Sequence, residues 1–482
     1  MLFNSYLFLL VFLPITWIGY RGLSREDVPR KVALTWLVAC SLFFYGWWNP
    51  RYVLLLGASI LVNYALGRLL ARSSGRRMGS VALTLGVALN LAALGYFKYA
   101  NFFVDHVLRL DLSLEPIVLP LAISFFTFQQ IAFLVDAYRG ETREPDFIDY
   151  TLFVTFFPQL IAGPIVHHKE MLPQFDRPQS TPQRSEDLAV GGTIFAFGLA
   201  KKVLLADLVA GYATPVFGAT QNGVTPDLGA AWVGLFAYTL QIYFDFSGYS
   251  DMAIGLGRLF GIRLPVNFDS PYRADSIVDF WRRWHMTLSR FLRDYLYIPL
   301  GGNRHGRARR YVNVMITMLL GGLWHGAGWT FVVWGGLHGS YLCVEHAWRR
   351  WRGDRAPLPT WLARTLTLAA VMLAWVFFRA ENFEAAQHYL AGLAGAGGLT
   401  PMADAEIGNG ALWVAAILPI ALFTPNTQQW LAHYGPAESA VEPWSRRWAW
   451  HPTPRWGVIT ATLLLISILR ISSYSEFIYF QF

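Results

Sequence analysis

Charge is scarce in this 482-residue chain: Asp, Glu, Lys and Arg make up 15% of it, against about 25% in a soluble domain. Cysteine is scarcer still. Cys40 and Cys343 stand alone, with no CxxC pair and no zinc-type spacing, so both read as packing residues and no metal is expected. No Pro/Ser-rich linker or long polar run divides the chain, which excludes a string of soluble domains. There is no G-x-S-x-G elbow, no P-loop and no HExxH, so a serine-triad hydrolase or an ATP-driven pump is unsupported. His106 and Asp111 do match an HxxxxD spacing, but the match is short and isolated and reads as chance.

Apolar residues are what the chain has in excess. Hydrophobic residues make up 54% and aromatics 16%, and the mean hydropathy is +0.35. Those values fit a chain whose solvent is mostly lipid, and they exclude disorder and an ordinary cytosolic enzyme. A membrane span needs roughly 20 apolar residues. Candidates lie at 2–20, 32–49, 51–70, 79–97, 117–137, 188–209, 229–245, 311–330, 331–348, 359–378, 408–424 and 455–473, giving an expectation of about eleven spans. Residues 2–20 carry no charge and lack both the leading positive charge and the small-residue cleavage site of a signal peptide, so they read as a first span. Segment 150–166 is apolar but interrupted by Pro158, Gly163 and Pro164, which predicts a re-entrant or kinked element. The expected fold class is therefore all-α and polytopic, a single integral-membrane domain over 1–482. Within it, 1–137 are N-terminal helices, 138–348 a core and 349–482 C-terminal helices.

The net charge of +8 would suggest nucleic acid in a soluble protein. Here the basic residues fall in short clusters between apolar runs, so membrane lipid is the expected neighbour and nucleic acid is not. Arg21, Arg25, Arg30 and Lys31 mark one loop, and Arg68, Arg72, Arg76 and Arg77 another two connections on. Both fall on one side, which the positive-inside rule makes cytoplasmic; the N-terminus is then expected outside.

Ionisable residues at membrane depth are candidates for function. The richest stretch is DFWRRWHMTLSRFLRDYLYIPLGGNRHGRARR, residues 279–310. On a helical wheel, Trp281, Trp284, Leu288, Phe291, Leu292 and Tyr295 form an apolar stripe opposite Arg282, Arg283, Arg290, Arg293 and Asp294. The pattern predicts one interfacial amphipathic helix over 280–296, with i,i+4 pairs Asp279–Arg283 and Arg290–Asp294. His285 falls on the apolar side and is expected to point inward. His325, in MLLGGLWHGAG (318–328), sits within an apolar run beside Gly322 and Gly326, whose spacing lets another backbone approach. A neutral imidazole there is a proton acceptor near neutral pH. His338 lies 13 residues on and about 140° around the wheel, and is expected to be structural. Asp245 and Asp251 are expected to orient a histidine or to pair with Arg282 or Arg283. Lys201 and Lys202 interrupt the 188–209 span; snorkelling explains them most simply, with contact to a phosphate-bearing donor as the functional alternative.

WRRWH (281–285) together with LWHG (323–326) resembles the membrane-bound O-acyltransferase superfamily, and within it the membrane subunits that O-acetylate alginate. The likeness continues through SLFFYGWWNPRYVLLL (41–56), LGYFKYANFF (94–103), LIAGPIV (160–166), FDFSGYSDMAIGLG (244–257) and EFIYFQF (476–482). The resemblance implies helices and re-entrant segments around a thin, tunnelled centre. It puts His325 at the superfamily's catalytic histidine and His285 at a second, upstream polar position. Asp245, Asp251, Trp324, Gly322 and Gly326 become candidates to line the substrate path, and Arg282, Arg283, Lys201 and Lys202 candidates to hold the donor. It further implies a donor that is a substrate and not a bound cofactor: acetyl-CoA or an acyl carrier protein thioester on the cytoplasmic side. The expected acceptor is an exopolysaccharide, with alginate first. A periplasmic SGNH-hydrolase-like acetyltransferase within a polysaccharide biosynthesis complex is the expected partner, at the bacterial inner membrane. D-alanyl transfer to teichoic acid, acetylation of cellulose or peptidoglycan, and a non-catalytic flippase are the competing readings.

Overall fold

The computed structural model describes residues 1–73, 77–108, 117–142, 145–175, 181–399, 405–445, 449–471 and 478. Arg76, Asp111, the side chain of His106 and all of EFIYFQF except Ile478 lie outside the described residues. Among the described residues every regular element is helical. Arg51–Ser73, Arg77–Asp105, Gln183–Gln221 and Thr360–Arg379 are long and apolar enough to cross a membrane, and Phe8–Leu23, Ile407–Phe423 and Pro454–Leu469 are shorter apolar helices. Large apolar side chains on them face outward: Leu54 is 78% exposed and Leu412 70%. Water would penalise such surfaces; hydrocarbon does not.

The chain forms two compact units, one from Met1–Leu199, Tyr249–Val266 and Thr427–Ile471, the other from Ala200–Gly248, Asn267–Asn426 and Ser472–Phe482. In the first, polar side chains join apolar helices. Asn63 and Asn90 exchange amide hydrogen bonds, Asn90 Nδ2 donating to Asn63 Oδ1 at 2.6 Å and Asn63 Nδ2 to Asn90 Oδ1 at 3.3 Å. Such pairs hold helices together where no hydrophobic force between them operates. Arg258 is fully buried, its guanidinium 2.7 Å from Asp187 and 3.0 Å from Glu186, and it donates to the carbonyls of Tyr434 and Gly435. No sequence pattern had singled it out. The interrupted segment behaves as expected: the Phe147–Thr155 helix stops at Phe156 and restarts as Phe157–Leu160, with Pro158 in its first turn. Residues 150–166 are buried throughout. Irregular backbone at membrane depth persists only under such cover.

The expected 229–245 span is the opening of a 32-residue helix, Leu228–Leu259, whose residues up to Gly248 belong to the second unit and the rest to the first; residues 237–258 are all buried. A helix buried all round must pair its charges internally, which governs Asp245 below. The Gly306–His325 and Trp329–Arg352 helices pack closely, separated by the extended residues Gly326 and Gly328. A Cβ at Gly322 would overlap the Phe331 carbonyl oxygen and lie 3.1 Å from the Gly335 backbone, so the close approach expected there is realised between these two helices.

Candidate active site

Both candidate histidines belong to the second unit, and both are buried: His285 fully, His325 to 3% exposure. The expected single helix over 280–296 does not form. Ile277–Arg283 ends, His285 adopts the left-handed conformation at φ +45°, and the chain resumes as Met286–Leu292 and then a π-helical turn, Arg293–Tyr297. A left-handed non-glycine residue is unfavourable and survives where neighbours fix it. The fixing segment is 267–269: Met286 N–H donates to the Asn267 carbonyl at 3.0 Å, and Asp269 N–H to the Arg283 carbonyl at 2.9 Å. His285 is inward, as expected, but this break puts it there, and a stripe on a continuous helix does not exist. Arg283 keeps Asp279 at 2.9 Å and adds Asp269 at 3.5 Å, while Asp294 is held bidentately by Arg293 at 2.7 and 3.0 Å.

Asn267 also sets the state of His285. Its Oδ1 accepts from the Thr287 N–H at 3.2 Å and from Thr287 Oγ1 at 2.9 Å. A backbone N–H only donates, so the atom facing it is the amide oxygen. His285 Nδ1, 3.2 Å from that oxygen, must then carry a proton and donate. In the neutral ring this leaves Nε2 as the acceptor. Asn267 Nδ2 is buried without a hydrogen-bond partner.

His325 is the last residue of the Gly306–His325 helix. Its ring centroid lies 6.2 Å from that of His285, with Trp324 beside both, at 5.0 Å from His325 and 6.1 Å from His285. Trp334 and Phe378 close on His325 edge-to-face at 5.1 and 5.3 Å, and Phe246 packs on His285 at 4.8 Å. Two histidines thus share one aromatic enclosure. Trp334 Nε1 is buried without a partner.

A third histidine belongs to the same wall. His338 is fully buried, its ring 4.8 Å from Trp334 and 5.1 Å from Trp281, and neither ring nitrogen has a hydrogen-bond partner. The expectation that it faces elsewhere fails because the wheel ran through Gly326–Gly328, where there is no helix. Asn267 was missed as well; an asparagine in LPVNFDSPYR carries no pattern that marks it.

The other candidates separate. Asp245 does not pair with Arg282 or Arg283; Lys202 Nζ holds it at 2.6 Å, and its Oδ2 accepts from the Ile478 N–H at 3.2 Å. Lys202 does not snorkel. It lies in a π-helical turn, Lys201–Ala206, is 1% exposed, and bonds Asp207 at 2.7 Å as well as Asp245. Such a turn swings a side chain off the regular helix face, and two carboxylates then neutralise the ammonium. Lys201 is half-buried and Arg282 exposed. Asp251, in the first unit, accepts from Gln428 Nε2 at 3.1 Å and likewise answers to neither arginine. Gly322 and Gly326 turn their Cα atoms toward the Phe331 carbonyl and the Phe331 ring, so packing against the next helix occupies the faces expected to border a channel.

Residues 119–381 match the membrane-bound O-acyltransferase family. The chain belongs to that family. It is 44% identical to the peptidoglycan O-acetyltransferase of Helicobacter pylori, over 83% of this chain and 81% of the relative. It is 41% identical to the probable alginate O-acetylase AlgI of Pseudomonas putida over the full length of both. The teichoic acid D-alanyltransferase of Streptococcus thermophilus is more distant, 31% identical over 54% of this chain and 68% of the relative. The protein is accordingly a multi-pass membrane acyltransferase, and its matched region contains both enclosed histidines.

Proposed function

We propose that the protein moves an acetyl group from a cytoplasmic thioester, acetyl-CoA or an acyl carrier protein, for O-acetylation of a polysaccharide outside the membrane. The enclosure of His285 and His325 in one aromatic wall, ring centroids 6.2 Å apart, carries this reading. Acyl transfer needs a base for the acceptor hydroxyl and donors for the tetrahedral oxyanion. His325 takes the hydroxyl proton as the oxygen attacks the thioester carbonyl. The carbon–sulfur bond breaks, and the thiol leaves with that proton. His285, its Nδ1–H held by Asn267, offers Nε2 to orient the acceptor. Asn267 Nδ2 and Trp334 Nε1 are buried donors without hydrogen-bond partners beside the two histidines, and supply the oxyanion candidates. No cysteine enters the scheme, so direct transfer is the simpler course.

Alginate is the proposed acceptor, with a periplasmic SGNH-hydrolase-like protein completing delivery; full-length similarity to a probable alginate O-acetylase supports it. The 44% identity to a peptidoglycan enzyme over four-fifths of both chains favours peptidoglycan as the second reading. The exposed Arg304, Arg307 and Arg309, with the half-buried Arg310, are the proposed attraction for an anionic donor at the cytoplasmic face of the inner membrane. The N-terminus then lies in the periplasm.

The experiment is turnover of acetyl-labelled thioester by the purified protein in proteoliposomes, paired with acetate analysis of alginate and of muropeptides from cells with and without the gene. Thioester turnover together with loss of alginate acetate supports the first reading, and loss of muropeptide acetate the second. Absence of turnover with either donor refutes acetyl transfer and returns the protein to flippase-type transport.

A further inference from the structure

Outside the histidine enclosure, the first unit holds a second cluster of ligating side chains that acyl transfer does not use. Asp136 lies in the last turn of the Ile123–Tyr138 helix, His168 opens the His168–Phe175 helix, and His167 precedes it. Asp136 Oδ2 is 2.6 Å from His167 Nε2 and 3.7 Å from His168 Nδ1, and the three ligating atoms all lie within 4.8 Å of one another. The other carboxylate oxygen, Oδ1, faces the Arg139 guanidinium at 3.7 Å. One oxygen is thus committed to Arg139, and the other confronts two imidazoles.

The nitrogens are disposed as ligands. His168 is buried to 3% exposure, its Nδ1 has no hydrogen-bond partner, and its Nε2 lies 3.0 Å from Thr142 Oγ1. A neutral imidazole carries one ring-nitrogen lone pair. With Nε2–H donating to Thr142, that lone pair falls on Nδ1, toward Asp136. A metal-bound histidine ordinarily uses its second nitrogen in this way, donating to an oxygen that fixes the ring. His167 Nδ1 accepts from the Lys169 N–H at 3.4 Å, which puts its proton on Nε2, where it meets Asp136. The surrounding charges are balanced. Arg139 and Lys169 are opposed by Glu141, which bonds the Lys169 ammonium, and by Glu170, which accepts from the His167 N–H at 3.0 Å.

We infer that Asp136, His167 and His168 form a binding site for a divalent transition metal of the zinc class. Two imidazoles and one carboxylate suit that class better than calcium or magnesium, which take oxygen ligands. Bonds of about 2.0–2.1 Å put tetrahedral ligands roughly 3.3 Å apart. The 2.6 Å contact must open and the 3.7 Å contact close, each by well under an ångström. Binding replaces the His167 Nε2 proton, which leaves to solvent past a side chain that is 20% exposed. Three protein ligands leave a fourth position for water or another oxygen donor. The inference is independent of the proposed acetyl transfer and of the second unit.

The test uses the full chain in detergent, stripped with a chelator, dialysed against Zn2+ and assayed for metal by mass spectrometry, with Co2+ as a second probe read by visible absorption. The wild type should retain about one Zn2+ per chain and develop a Co2+ band. His167→Ala, at the more exposed ligand, should lose both while remaining monodisperse. His168→Ala should behave alike, and Thr142→Val should bind about 10–100-fold more weakly. A wild type that binds neither ion overturns the inference, as does a His167→Ala protein that binds as the wild type does. The cluster would then be a hydrogen-bonded clasp between two helices.

Discussion

Replacing Lys202 with methionine separates a structural from a donor-binding role for this lysine. Lys202 Nζ lies 2.6 Å from Asp245 and 2.7 Å from Asp207, and the side-chain exposures of the three are 1%, 2% and 26%. Lys202→Met leaves the Asp245 carboxylate buried without its nearest cation. Breaking a buried pair from one side costs about 3–5 kcal/mol. Lys202→Met/Asp245→Leu removes both charges and should recover most of that loss. It leaves the Ile478 N–H without its 3.2 Å acceptor, so about 1–3 kcal/mol should remain. Asp207→Asn, at the more exposed partner, should cost about 0–1 kcal/mol. The assay is unfolding of purified protein in mixed micelles by SDS titration, followed by tryptophan fluorescence, with the donor KM measured alongside. The expected order of stability is wild type, Asp207→Asn, double variant, Lys202→Met, with no selective rise in donor KM. A Lys202→Met protein as stable as wild type but with a raised donor KM would refute the reasoning and make this lysine a donor contact.

Further predictions address the enclosure and its supports. Asn267→Ala should lower kcat by about 10²-fold with donor KM unchanged, because His285 loses the acceptor that orients it; Asn267→Asp, which keeps that acceptor but loses the Nδ2 donor, should fall between Asn267→Ala and the wild type, and equal rates in the two variants would remove Asn267 as a positioning residue. Gly322→Ala should reduce the yield of monodisperse protein more than Gly326→Ala, since the first meets backbone and the second a phenyl ring that can turn; size-exclusion profiles of the two read this directly. Replacing Arg304, Arg307, Arg309 and Arg310 together with glutamine should raise donor KM and flatten its dependence on salt. A change in membrane insertion alone would assign these arginines to lipid anchoring.

The features legible in the sequence were those carried by composition and punctuation. Apolar runs gave an all-helical membrane chain, Pro158 and Gly163 marked a broken segment, and two histidines in apolar surroundings were recognised as buried. Helical periodicity misleads where the helix breaks. The wheel over 280–296 assumed regular backbone through His285, whose left-handed conformation depends on Asn267, 18 residues upstream. A wheel drawn from His325 to His338 runs through Gly326–Gly328, where there is no helix. Lys202 looked like an interfacial lysine because nothing local announces the π-helical turn that directs it to Asp245, 43 positions along the chain. The His285–Asn267 and Lys202–Asp245 relations are contacts between distant parts of the chain, which a local window does not contain.

If His325 is the base for acyl transfer, the transfer rate of His325→Ala shows it. Labelled acetyl thioester and acceptor are supplied to purified wild type and variant, matched for monodispersity and tryptophan fluorescence. Transfer should fall by about 10²–10⁴-fold, with donor binding preserved. Transfer at the wild-type rate by a well-folded His325→Ala protein would contradict it.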